Sequence, residues 1–360
     1  MKFSKFALPS LLLIGIVVLV NCTSCDTTGG EGESAPALFA FQDNLAATFD
    51  TQVPVSIEVY SKDIASIDLV INDSIVKTWS KPSSKLTFNV NTAVLGIGAK
   101  TMDLNVTYTN GETFTDHRLI RVLSDIVPEV WSLSIVNEYP HNPINFTQGL
   151  EFSNGVLYEG TGQLGQSKVA KIDLSTGNDL VKMGLDGSQF GEGITILDET
   201  LYQITWTTGR CFTYDKNTLQ PKSKEFNFTG EGWGLCNDGK SIIMSDGSER
   251  ITFRDPKTFS IQRTIEVYTN QESVINLNEL EYVDGFIYAN IWMTSKIVVI
   301  DPDNGKVIAV LDGSELVKKG RGQQGDVMNG IAFDGQSNKL FMTGKRWEKL
   351  FEVAVSKPNA

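Results

Sequence analysis

Residues 190–206 read "FGEGITILDETLYQITW": a glycine-flanked glutamate, a short run with apolar side chains at every second position, a polar turn, and a second such run ending in Trp206. Alternation of period two describes a pair of antiparallel strands with one buried face, and no helix satisfies it. The same pattern recurs. "TQGLEF" (147–152), "GEGITI" (191–196), "GWGLCN" (232–237), "LNELEY" (277–282) and "MNGIAF" (328–333) begin 44, 41, 45 and 51 residues apart. That period matches the roughly 40 to 45 residues of a four-stranded propeller blade. Each is followed by a second apolar run, "LYEGTG", "LYQITW", "IIMSDG", "IYANIW" and "LFMTGK". Four units continue into a third strand ending near an aspartate ("KIDLSTG", "TYDKNT", "FRDPKT", "VIDPDNG"), and the fifth closes with "LFEVAV". The expectation for residues 129–360 is a five-bladed β-propeller, with "SLSIVNEY" (132–139) completing the last blade so that its edge is not left open.

In such an architecture the first strands line the axis, so equivalent positions of the units converge. Aligning the units on their glycines brings Gln148, Glu192, Trp233, Asn278 and Asn329 to one level. The ends of the second runs supply Gly162, Trp206, Gly247, Trp292 and Lys345 at the same mouth, because the two strands are antiparallel. The expected pocket holds one acid, one ammonium, three indoles and several amides. Each has a plainer reading: tryptophans commonly pack between sheets, Glu192 and Lys345 can simply pair, and amides can cap strands. "GEGWG" (230–234) has the glycine content of a phosphate loop but precedes no helix. "KKGRG" (318–322) reads as a solvated loop or a lip over the mouth.

Residues 36–128 have a different grammar. Val53, Val55, Ile57 and Val59 alternate, as do Leu86, Phe88 and Val90, and Met102, Leu104, Val106 and Tyr108; Asn110-Gly111 marks a hairpin turn. This suits a small immunoglobulin-like β-sandwich without clustered chemistry, making the whole chain all-β.

The first 25 residues carry Lys2 and Lys5, an apolar stretch from Ala7 to Val20 and the sequence "CTSC". This is the layout of a lipoprotein-type signal peptide with Cys25 as the lipidation site. Residues 26–35, "DTTGGEGESA", suit a flexible tether. A bacterial cell-envelope location is expected, anchored outside the cytoplasm on the periplasmic or surface face. A formal net charge of -12 argues against nucleic acid as a partner. Only Cys211 and Cys236 remain beyond the leader, and His117 and His141 stand far apart. That excludes a histidine-rich catalytic zinc site.

The segments "FTQGLEF", "LYEGTG", "FGEGITIL", "GEGWGL", "SDGS", "LNELEY", "ANIW", "NGIAFD" and "GKRW" together resemble the plant and bacterial type of glutaminyl-peptide cyclotransferase, over about residues 139–355. Gly160, Gln166 and Glu348 depart from that pattern, the first two raising the expectation of altered contacts near the rim. The resemblance implies conversion of an N-terminal glutamine on peptides or proteins to 5-oxoproline with release of ammonia, by a monomer that requires no cofactor and no catalytic metal. A structural calcium ion in the channel is compatible with it. Glu192, Asn278 and Lys345 are the expected catalytic residues, and Gln148, Trp206, Trp233, Trp292 and Asn329 the expected substrate-binding ones. Two other readings share the architecture: a calcium-dependent lactonase-type propeller, which Lys345 disfavours by repelling a dication, and a non-catalytic protein-interaction propeller.

Overall fold

The computed structural model describes residues 35–358; the expected signal peptide, Cys25 and the tether through residue 34 lie outside the described residues. Strand accounts for 56% and helix for 3%, so the molecule is all-β.

Two sheets form between residues 37 and 123. Ala37–Phe39, Gln52–Val59 and Leu86–Asn91 make a three-stranded sheet. Leu45–Thr48, Thr113–Leu123, Gly98–Tyr108, Ile64–Ile71 and Ser74–Ser80 make a five-stranded one, in that order. The alternating positions Val55, Ile57, Met102, Leu104 and Val106 are fully buried and join a single core with Ile67, Leu69 and Ile120. Leu45–Thr48 pairs parallel to its neighbour, which no local pattern announces. The 108–113 connection is not a tight two-residue turn. Gly111 alone takes positive φ (90°), while the Asn110 side chain accepts from Glu112 N at 3.0 Å. These sheets dock on the larger body through Ile97 and Val122 against Tyr268, Ser124 N donating to Thr269 O (3.1 Å) and a 2.7 Å Lys306–Asp125 ion pair.

The repeated units fold as antiparallel four-stranded groups. The first is Thr147–Ser153, Val156–Thr161, Lys168–Ile172 and Asp179–Gly184; the second begins at Gly191–Leu197 and the third at Leu235–Asn237. The groups beginning at Leu277–Val283 and Met328–Asp334 merge into one eight-stranded sheet. Glu129–Pro140 joins them, antiparallel to Lys349–Ser356 and parallel to Val307–Asp312. The five opening strands touch in succession, and the last, Met328–Asp334, returns to the first, Thr147–Ser153. The aspartates Asp173, Asp215, Asp255 and Asp301 each accept the amide N–H two residues on, at 2.8 to 3.0 Å. They are therefore turn formers between third and fourth strands, which explains their repetition.

Glycine and carboxylate together hold the opening strands close. A Cβ on Gly149, Gly193 or Gly234 would fall 2.4, 2.5 or 2.1 Å from the backbone of the next opening strand. Buried carboxylates then bridge the strands. Glu279 accepts from Leu150 N (3.1 Å) and Ile331 N (2.8 Å), and Glu281 accepts from Phe333 N (2.8 Å). Burial pushes both carboxyls well above the usual range, and Glu151 to about 8. The "KKGRG" segment is largely helical: Ser314–Gly320 is a short helix whose Gly320 packs against Trp347 and Phe351. Cys211 and Cys236 are buried free thiols.

Candidate active site

At the end where the opening strands start and the second strands finish, a cavity of about 400 Å³ is lined by Phe146, Gln148, Phe190, Glu192, Trp206, Trp233, Asn278, Trp292 and Lys345. Seven of the eight residues expected at the site line it. Asn329 does not. It is fully buried behind the wall, where its Nδ2 donates to Thr147 O (3.0 Å) and Gln148 Oε1 (3.3 Å). Gln148 in turn donates from Nε2 to Glu192 Oε1 at 3.0 Å, so Asn329 orients the amide that orients the acid. Gly160 also lies away from the cavity, packed against Ile194, so its departure from the family pattern is a packing matter.

Glu192 is 5% exposed. Burial pushes its carboxyl well above the ordinary carboxylate range; the Lys345 ammonium opposes this, and Glu231 adds to it. Lys345 is pulled below the usual lysine range by burial, against the influence of Glu192 and Asp326. The two face one cavity without closing to a direct ion pair. Lys345 Nζ lies 4.9 Å from the Phe146 ring centroid and donates to no protein acceptor among the described residues. Asn278 Oδ1 is buried with no hydrogen-bond partner among the described residues.

The walls are aromatic and cross-braced. Phe146 meets Phe190 edge-on (6.3 Å between centroids), Phe190 meets Trp206 (5.7 Å), and Trp233 meets Trp292 (5.6 Å, 87°). The glycines at the ends of the second strands make room for these rings. A Cβ on Gly162 would fall 2.4 Å from the Phe190 ring, and one on Gly247 2.6 Å from Trp233.

Phe146, Phe190 and Glu231 escaped the sequence reading. They sit two residues before Gln148, Glu192 and Trp233, in the segments that lead into the opening strands, so they occupy equivalent positions of three units. Glu231 Oε2 accepts from both Trp206 Nε1 (2.7 Å) and Trp233 Nε1 (2.8 Å), clamping two walls. The Glu159 carboxylate was missed too. It accepts from Asn145 Nδ2 (2.6 Å) and Thr147 Oγ1 (2.7 Å) beside His141, fixing the segment that presents Phe146 and Gln148.

The family model described as glutamine cyclotransferase matches residues 108–355. The chain belongs to the glutamine cyclotransferase family. It is 38% identical over 240 residues to an Arabidopsis thaliana protein named glutaminyl-peptide cyclotransferase, an overlap covering 66% of this chain and 75% of that one. The crystal structure of Myxococcus xanthus glutaminyl cyclase is 38% identical with a TM-score of 0.61, and all of it corresponds to 64% of this chain. Every residue lining the cavity falls within the segment matched to the glutamine cyclotransferase family.

Proposed function

We propose that this protein is a glutaminyl-peptide cyclotransferase, closing the N-terminal glutamine of a peptide or protein to 5-oxoproline and releasing ammonia. The observation that carries the mechanism is a buried carboxyl with a raised pKa, Glu192, held by Gln148 in an indole-lined cavity that also presents Lys345.

The α-amine attacks the side-chain carbonyl of its own residue, so the reacting atoms arrive already tethered. What remains is proton traffic and charge. A free α-amine has a pKa of about 7.7 to 8.0, and burial, by raising the Glu192 carboxyl above the ordinary carboxylate range, makes it a stronger base toward that amine's proton. The same carboxyl then passes the proton to the departing amide nitrogen, which leaves as ammonia. The oxygen gains negative charge during attack; Lys345 Nζ and the Asn278 amide N–H are the donors on that side. Trp206, Trp233 and Trp292 hold the aliphatic part of the glutamine and keep water out, which strengthens these polar contacts.

The wider reading follows from the same repeats. We take the closed cycle of five opening strands as a five-bladed propeller (129–360), residues 36–128 as an immunoglobulin-like sandwich carrying it, and Cys25 as the lipid anchor of a monomeric envelope enzyme.

The deciding experiment is ammonia release from a glutamine-initiated dipeptide by the wild type and Glu192→Gln. Positioned proton transfer is worth about 10² to 10⁴ in rate. A loss of that size in kcat with an unchanged melting temperature is the expected result, and equal turnover removes Glu192 from the chemistry.

A further inference from the structure

Beyond residue 128, exposed large apolar side chains fall into two sets. Val130, Val136, Leu180, Val181 and Ile261 are scattered over strand faces and edges. The others are Ile144 (74% exposed), Leu164 (63%), Ile275 (53%) and Met293 (66%), with the outer edges of Trp206 and Trp292. All of these lie in the loops that border the cavity. Hydrogen bonds lace those loops together: Gly162 N to Phe146 O (2.9 Å), Trp206 N to Phe190 O (3.0 Å), Asn276 N to Gly247 O (2.8 Å) and Trp292 N to Asn276 O (2.9 Å). Ile144 and Leu164 stand two residues beyond Phe146 and Gly162, while Ile275 and Met293 adjoin Asn276 and Trp292.

Cyclisation consumes atoms of the first residue alone, and the carbonyl of that residue stays bonded to the second. With the glutamine seated among the indoles, the rest of the substrate must leave through the mouth, so its second and third residues come against this rim. We infer that the rim is a subsite for large apolar or aromatic residues at substrate positions two and three, so that the preferred substrates carry glutamine followed by such residues. The inference rests on the cyclotransferase reading and adds the substrate class to it. Contacts to residues that do not react bind ground and transition states alike, so the preference belongs in KM and not in kcat.

The test uses the intact protein and the amidated tripeptides Gln-Phe-Phe, Gln-Gly-Gly, Gln-Lys-Lys and Gln-Glu-Glu, with kcat and KM read from ammonia release. Burying two large side chains partway predicts kcat/KM for Gln-Phe-Phe about tenfold or more above the other three, carried by KM. In Ile275→Ser/Met293→Ser, and separately in Ile144→Ser/Leu164→Ser, that advantage over Gln-Gly-Gly shrinks several-fold. Equal constants for all peptides, a preference for a charged residue, or an advantage that survives both double variants overturns the subsite while leaving cyclisation intact. So does flat specificity combined with a concentration-dependent dimer that the same variants dissolve. Absence of ammonia from every peptide overturns the cyclotransferase reading and the subsite with it.

Discussion

The two ends of the same sheets are built from the same strands and share almost no chemistry. At the mouth, the opening strands begin with Gln148, Glu192, Trp233 and Asn278 beneath a collar of phenylalanine and indole rings. At the other end, the hairpins turn on Asn154-Gly155 and Asp284-Gly285, both residues of each at positive φ, and on Asp198 and Asp238. No large apolar side chain is exposed in those hairpins among the described residues. The contrast shows how a repeated scaffold divides its labour. Hydrogen bonding and side-chain alternation fix the strands and demand the same residue types in each unit. The loops at one end only have to turn the chain, and those at the other are free to differ from unit to unit, so the unlike residues that a reaction needs accumulate there.

The widest gap between the ends should be catalytic. Glu192→Gln is expected to lower turnover by about 10² to 10⁴, whereas Asp198→Ala and Asp284→Ala at the far hairpins leave kcat and KM within about twofold. A comparable loss from the far-end changes would break the comparison.

Glycine separates the inner strands from the far hairpins next. Gly193→Ala drives a Cβ to 2.5 Å from Leu235 N, backbone that cannot yield, while Gly239 has positive φ (80°) and nothing within 4 Å of its missing Cβ. Urea unfolding should give about 3 kcal/mol of destabilisation for the first and about 1 kcal/mol for Gly239→Ala. Equal values would mean that conformation, not close approach, governs both.

Depth along one strand should matter as well. Glu151 lies three residues deeper than Gln148, bonded to Thr195 Oγ1 at 2.9 Å, and burial raises its pKa to about 8. The folded state holds this proton and the unfolded chain releases it above about pH 4.5, so stability is lost as pH rises from there toward 8. Glu151→Gln should flatten that fall by about 3 kcal/mol between pH 5 and pH 8, read from urea midpoints. A steeper fall would place the charged form in the native state.

Glu231→Ala releases both indoles, and about a tenfold loss in kcat/KM is expected, with Glu231→Gln retaining part of it through one remaining acceptor oxygen. Both changes remove a negative charge that raises the Glu192 pKa. The acid limb of the pH profile, which requires unprotonated Glu192 to take the amine's proton, should therefore move to lower pH. A profile that stays put would limit Glu231 to bracing the walls.

Most of the sheet architecture was legible because it is periodic: two-residue alternation named the strands, and unit spacing of 41 to 51 residues named the repeat. The meeting of Glu192, Trp206, Asn278 and Lys345 was legible by the same token, since equivalent positions converge. Phe146, Phe190 and Glu231 were harder to read because they precede the opening strands, outside the alternating runs that mark the units. The bridging role of Glu279 was not legible. Its partners are amide groups at Leu150 and Ile331, 129 and 52 residues away in sequence, and backbone donors leave no mark in the residue code. The parallel contact of Glu129–Trp131 with Ala309–Leu311 is hidden for the same reason.

The clasp between Glu129–Pro140 and Lys349–Ser356 also sets a schedule for biosynthesis. Residue pairs such as Asn137 and Glu352 are among the earliest and latest parts of the body to leave the ribosome. Until the final strand emerges, the nascent protein carries a bare sheet edge that a neighbouring polysome could capture, and closure must wait on a very long chain loop. A holding chaperone, or a membrane-bound export route that delays folding until synthesis is complete, would spare the enzyme that exposure.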